Sequence, residues 1–222
     1  MRKVGNLSDK LLYAPQCEVE KMELNSLFPI PVAKFEMPPL DKKQKSWLSE
    51  QPVQPNISNR ISVNKNLLDE DFMSPVKESI DMFLAHYYSQ TFSNSNEIKL
   101  RITQSWCNYA GIGEAHHKHH HPNSIISGVY YVQTNDEDKI YFYNDRVENS
   151  NFSFTKPEYN IYNSESWWIP TTENSLILFP SDLKHSVKNR QTDHLDRISM
   201  SFNTFYTGPI GSEDNATFLN LP

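Results

Sequence analysis

The stretch that decides the fold reads HHKHHHPNSIISGVYYVQ, residues 116–133. A histidine-rich run stops at Pro122-Asn123-Ser124, and a β-branched and aromatic run, Ile125–Gln133, follows at once. Two short strands divided by turn residues are the unit of sandwiches and barrels. The same texture extends both ways, predicting strands at 98–109, 116–121, 125–133, 139–144, 161–169, 175–179, 184–188 and 195–206. Such spacing points to a mainly β chain, a jelly roll in the form of a double-stranded β-helix.

Upstream the pattern changes. Leu27–Met37 alternates but carries two prolines, which suits an edge strand or its entry. A short charged helix is predicted around Asp41–Glu50, and residues 51–65 read as loop. Ser74 is placed to cap a helix over Pro75–Gln90, whose Val76, Ile80, Phe83, Leu84 and Tyr87 form one apolar stripe. These N-terminal helices would flank the β-core. The expected organisation is an irregular arm over 1–26 and one domain over 27–222, with helical support at 40–90 and the β-core at 98–206. Residues 145–160 and 207–222 show too little pattern to assign.

Composition narrows the function. The 222 residues carry 21 basic and 27 acidic side chains, a net charge of −6, which weighs against a nucleic acid as the main partner. Aromatics reach 12%, so the chain can build a core. No apolar run approaches the roughly 20 residues of a membrane span. The N-terminal segment has no secretory h-region, and Cys17 and Cys107 are too few for a disulfide framework. A cytoplasmic protein is expected, with a two-fold homodimer as the default assembly.

Five of eight histidines fall within His116–His121. On a strand, His117, His119 and His121 share one face while His116 and His120 take the other. His119 and His121 can therefore chelate one metal, and imidazole suits iron, zinc, copper or nickel. A third ligand must come from a distant strand. LILFPSDLKHSVKN (176–189) supplies it: an apolar strand turns at Phe179-Pro180 and delivers His185 on a new strand.

Beyond His185, in DRISMSFNTFY, Ile198, Met200 and Phe202 alternate with Arg197, Ser199, Ser201 and Asn203. An arginine and hydroxyls on one strand face form a charge-assisted carboxylate receptor. Tyr131 could add its hydroxyl, and Trp106, Asn108 and Tyr141 are candidates to line the pocket.

A His-x-His pair, YYV, FPS…H and an Arg-x-Ser strand, in that order, resemble the 2-oxoglutarate- and iron(II)-dependent dioxygenases. The chain is most similar to the 2OG-Fe(II) oxygenase family of marine-bacterial and tailed-phage type. LFPIPV (27–32), SWCNYAGIG (105–113), HHHPNSIISGVYYV (119–132), IYFYNDR (140–146), LILFPSDLKHSV (176–187), RISMSFN (197–203) and the tail GPIGSEDNATFLNL (208–221) carry the likeness. The resemblance implies Fe(II) on His119 and His185, 2-oxoglutarate on Arg197 and Ser199 with help from Tyr131 and Asn108, and O₂ as oxidant. It further implies a hydroxylase releasing succinate and CO₂. Its substrate, a protein side chain or a small molecule, is left open. The superfamily's third ligand is usually a carboxylate. Here that position is His121, so either His121 ligates or a carboxylate such as Asp145 or Asp182 replaces it.

Two other readings compete. Gly113, His119-x-His121, Pro180, His185 and Asn189 match much of a cupin motif, but Ile125 and Ile126 stand where its glutamate belongs. A non-catalytic jelly-roll binding module is the other.

Overall fold

The structure, a computed structural model, describes residues 22–92, 98–148, 158–189 and 196–222. Met1–Ile30 and Pro31–Pro222 are separate compact units. In the first, Met22–Ile30 holds no strand or helix; residues 1–21, including Cys17, lie outside the described set. The second unit contains β1 (Ala33–Glu36), α1 (Lys42–Ser49), β2 (Val53–Pro55), β3 (Arg60–Ser62), α2 (Ser74–Thr91), β4 (Lys99–Ala110), β5 (His116–His119) and β6 (Ile126–Gln133). It continues with β7 (Lys139–Tyr143), α3 (Asp145–Glu148), β8 (Ser166–Pro170), β9 (Ser175–Pro180), β10 (His185–Val187), β11 (Arg197–Ile210) and β12 (Leu219–Leu221).

These strands form two antiparallel sheets. The major sheet runs β1-β9-β6-β11-β4-β3-β2, with β12 added to β11; the minor sheet runs β5-β10-β7-β8. The alternation along β11 explains the layering. Ile198, Met200 and Phe202 join Tyr130, Leu176, Leu178 and Cys107 in a core closed by Val76, Ile80, Leu84 and Tyr87 of α2. On the opposite face of the major sheet, Val129, Tyr131, Ile177 and Phe179 meet Ile140 and Phe142 of the minor sheet in a second, smaller core. The result is a helix layer and two sheets, a jelly roll with its site between the sheets. Gly128 makes the first core possible: a Cβ there would stand 2.1 Å from the Phe202 ring.

Several expectations are corrected. Ser74 is the first helical residue and makes no side-chain cap; a 3-10 turn, with the Met73 amide on the Glu70 carbonyl at 2.8 Å, runs straight into α2. A capping box instead starts α1, where Asp41 accepts from the Gln44 amide and the Gln44 side chain accepts from the Asp41 amide. Residues 51–65 are not all loop. Asn56 and Asn59 close a turn by backbone and side-chain bonds, both 2.9 Å, and pair β2 with β3. Leu27–Met37 forms a strand only over Ala33–Glu36, since prolines cannot donate to a ladder. The expected strand 161–169 starts only at Ser166, after a turn closed by the Ser164 amide on the Asn160 carbonyl. Residues 207–210 continue β11, and Asp145–Glu148 is one helical turn; 149–157 lie outside the described residues. Among the described residues, no helix is long and apolar enough to cross a membrane.

Candidate metal centre

His119 ends β5 and His185 begins β10, and the two are direct partners across the minor sheet. His121 follows two residues later, its amide fixed on the Ser181 carbonyl at 2.8 Å. This register brings one ligand nitrogen from each of His119, His121 and His185 within 4.8 Å of the others. The turn through Ser181-Asp182 thus does what the sequence pattern required, returning a third imidazole to the first two.

Each of the three rings is anchored by its Nδ1. His119 donates to the His117 carbonyl at 2.8 Å, His185 to the Leu183 carbonyl at 3.0 Å, and His121 to Asn203 Oδ1 at 2.5 Å. A carbonyl oxygen can only accept, so the proton sits on Nδ1 in all three and the lone pair sits on Nε2. Nε2 of His119 then faces Nε2 of His121 at 3.2 Å. Two lone pairs at that distance repel unless a cation lies beside them. Protons do not fill this role at neutral pH: burial pushes His119 down to about 4 and lowers His121 and His185 as well. A divalent metal fits the donor set.

The carboxylate alternatives are not here. Asp145 is half-exposed and pairs with Lys184 at 3.1 Å, and Asp182 is exposed. Among the described residues no carboxylate joins the three histidines. Trp106 lies against His121, ring centroids 5.8 Å apart. Tyr141, by contrast, stands on the face of β7 opposite the buried Phe142 and beneath Lys188, so it does not line the site.

On the facing sheet, Ser199 lies between Asn108 and Tyr131 across three strands. Asn108 Nδ2 donates to Ser201 at 2.9 Å, but its Oδ1 is buried without a partner, as is the Tyr131 hydroxyl. Two buried polar atoms side by side without partners have unused hydrogen-bonding capacity there. Arg197 is buried next to them and bonded through Nη1 to Asp138 Oδ1 at 2.9 Å. Sequence reasoning missed Asp138, and missed that Asn203 orients His121. Neither had a local signal, because both act across strands far apart in the chain. The expected face assignment of His116 is also corrected: its ring stacks on His119, centroids 4.3 Å apart, because a bulge shifts the β5–β10 register.

Residues 104–203, from β4 to the asparagine that holds His121, match the family described as "Putative 2OG-Fe(II) oxygenase". Over these residues the β-core is similar to that family. Solved structures share the fold of this chain. HygX from Streptomyces hygroscopicus, crystallised with nickel, 2-oxoglutarate and hygromycin B, is 12% identical, with 79% of this chain and 82% of that chain covered and a TM-score of 0.52. A prolyl-4-hydroxylase of Pseudomonas putida is 11% identical over 79% and 94% of the two chains, with a TM-score of 0.52. The epimerase SnoN from nogalamycin biosynthesis is 13% identical over 81% and 80%, with a TM-score of 0.54. No curated protein matches this chain.

Proposed function

We propose that this protein is a 2-oxoglutarate- and Fe(II)-dependent hydroxylase with a three-histidine metal centre. The carrying observation is the trio of Nδ1-anchored imidazoles, which converge from the end of β5, the segment just after it and the start of β10. His119, His121 and His185 would hold Fe(II). When bound, the metal with 2-oxoglutarate and O₂ supplies oxidation of a substrate C–H to C–OH, the second oxygen atom leaving in succinate as CO₂ is released.

The protein's own residues then have distinct tasks. Three neutral imidazoles add no negative charge, so the metal's full positive charge is left to attract an anionic co-substrate. Arg197 and Ser199 would receive its distal carboxylate, and the unpartnered Tyr131 hydroxyl and Asn108 Oδ1 would gain polar contacts on binding. Asp138 keeps Arg197 aligned. The smaller apolar core between the two sheets excludes water beside the site. HygX binds nickel and 2-oxoglutarate on the same fold, which supports this reading. A protein side chain or a small molecule is the proposed substrate.

The test adds Fe(II) and 2-oxoglutarate to the metal-free protein under anaerobic conditions. A weak visible charge-transfer band is expected, lost in His119→Ala and weakened in Arg197→Lys at unchanged metal content. Absence of the band in metal-loaded wild-type protein would overturn the reading.

A further inference from the structure

A second histidine group adjoins the first. His116, His117 and His119 also bring ligand nitrogens within 4.8 Å of one another. Strict alternation would turn His116 away from the other two. The bulge prevents this: three steps along β5, from His119 to His116, are matched by two along β10, from His185 to Val187. His117 then lies 5.4 Å from His116 and 5.0 Å from His119, ring centre to ring centre. Its Nδ1 is shut off from water with no hydrogen-bond partner. A desolvated imidazole nitrogen without a partner is costly, and a cation relieves that cost.

The five rings also form a graded series. His116, His117 and His119 are half-buried, whereas His121 and His185 are 8% and 4% exposed. Centroids of His116 and His119 are 4.3 Å apart, and so are those of His119 and His185. His119 is the ring common to both groups.

We infer that His116 and His117, with His119, form an outer capture position for a borderline divalent cation such as Ni(II), Zn(II) or Fe(II), from which the ion passes inward to His121 and His185. The inference rests on the metal reading of the inner triad. Because both positions need His119, they exclude each other and the chain holds one ion. The inner position binds more tightly, since all three of its rings are anchored and two of them are buried. Transfer is an exchange of ligands about His119, with no change in charge or redox state. What the outer position adds is a less buried approach to the inner triad.

Calorimetric titration of metal-free protein with Ni(II) tests it. Wild type should bind one ion tightly. His185→Ala should lose that affinity yet still bind one Ni(II) weakly, and adding His117→Ala should weaken this residual binding by about 10-fold or more. His117→Ala alone should keep the wild-type Kd but load several-fold more slowly in stopped-flow mixing. His117→Gln, with matched thermal unfolding, replaces any variant that does not fold. The outer position is refuted if His185→Ala binds no Ni(II), or if the double variant binds as well as His185→Ala. The inner triad fails separately, if His185→Ala retains the wild-type Kd.

Discussion

Arg197 donates from Nη1 to Asp138 Oδ1 at 2.9 Å in a pair whose side chains are 5% and 1% exposed. The aspartate's other oxygen accepts from the Asn135 amide at 3.0 Å. The side chain that would meet the co-substrate's carboxylate therefore already holds a carboxylate of the protein. Asp138 sets the plane of the guanidinium and offsets its charge.

Asp138→Asn keeps the acceptor but strands a buried positive charge, so the ligand-free protein should lose stability by about 3 kcal/mol. 2-Oxoglutarate should then raise Tm further in the variant than in wild type, because it supplies the missing negative charge. Scanning fluorimetry with and without the ligand checks both. Equal Tm values for the two ligand-free proteins would show that the pair is not holding Arg197.

Asn203→Ala removes the acceptor that keeps the His121 proton on Nδ1. The ring can then rotate or change tautomer, and metal affinity should fall about 10- to 100-fold with little loss of fold. Equilibrium dialysis against Ni(II) gives the answer. Asn203→Asp, which still accepts, should recover most of the loss.

Gly128→Ala places a methyl group inside the Phe202 ring position. Phe202 is fully buried, so the ring cannot swing aside without disturbing the core under α2. About 1–3 kcal/mol of destabilisation is expected, read as a lower denaturant midpoint at unchanged slope.

Cys107 is a free thiol, fully buried, and burial pushes its pKa up to about 12. The thiolate is the reactive form, so raising the pH to 8.5 should still leave Cys107 unalkylated in the native protein. Peptide mapping after iodoacetamide, with and without denaturant, measures this. Modification under native conditions would mean that β4 opens locally.

Legibility followed the range of the interactions. All eight expected core strands have counterparts, and the split of β11 into an apolar and a polar face was readable from Arg197–Asn203 alone, since strand alternation is a property of the local chain. The apolar stripe on α2 was readable for the same reason. The β2–β3 hairpin was hidden, because Pro- and Asn-rich segments become strands only when a neighbour such as β4 supplies the ladder.

At the site the same division holds. The sequence by itself determined the histidine cluster, the His119-x-His121 spacing, the return at His185 and the arginine strand, because each is written in consecutive residues. Only the tertiary structure decided that no described carboxylate reaches the triad, that Asp138 holds Arg197, that Asn203 orients His121 and that a bulge brings His116 onto His119. Those facts depend on which strands lie side by side and in what register, and register is settled by burial of whole sheet faces rather than by any short stretch of chain.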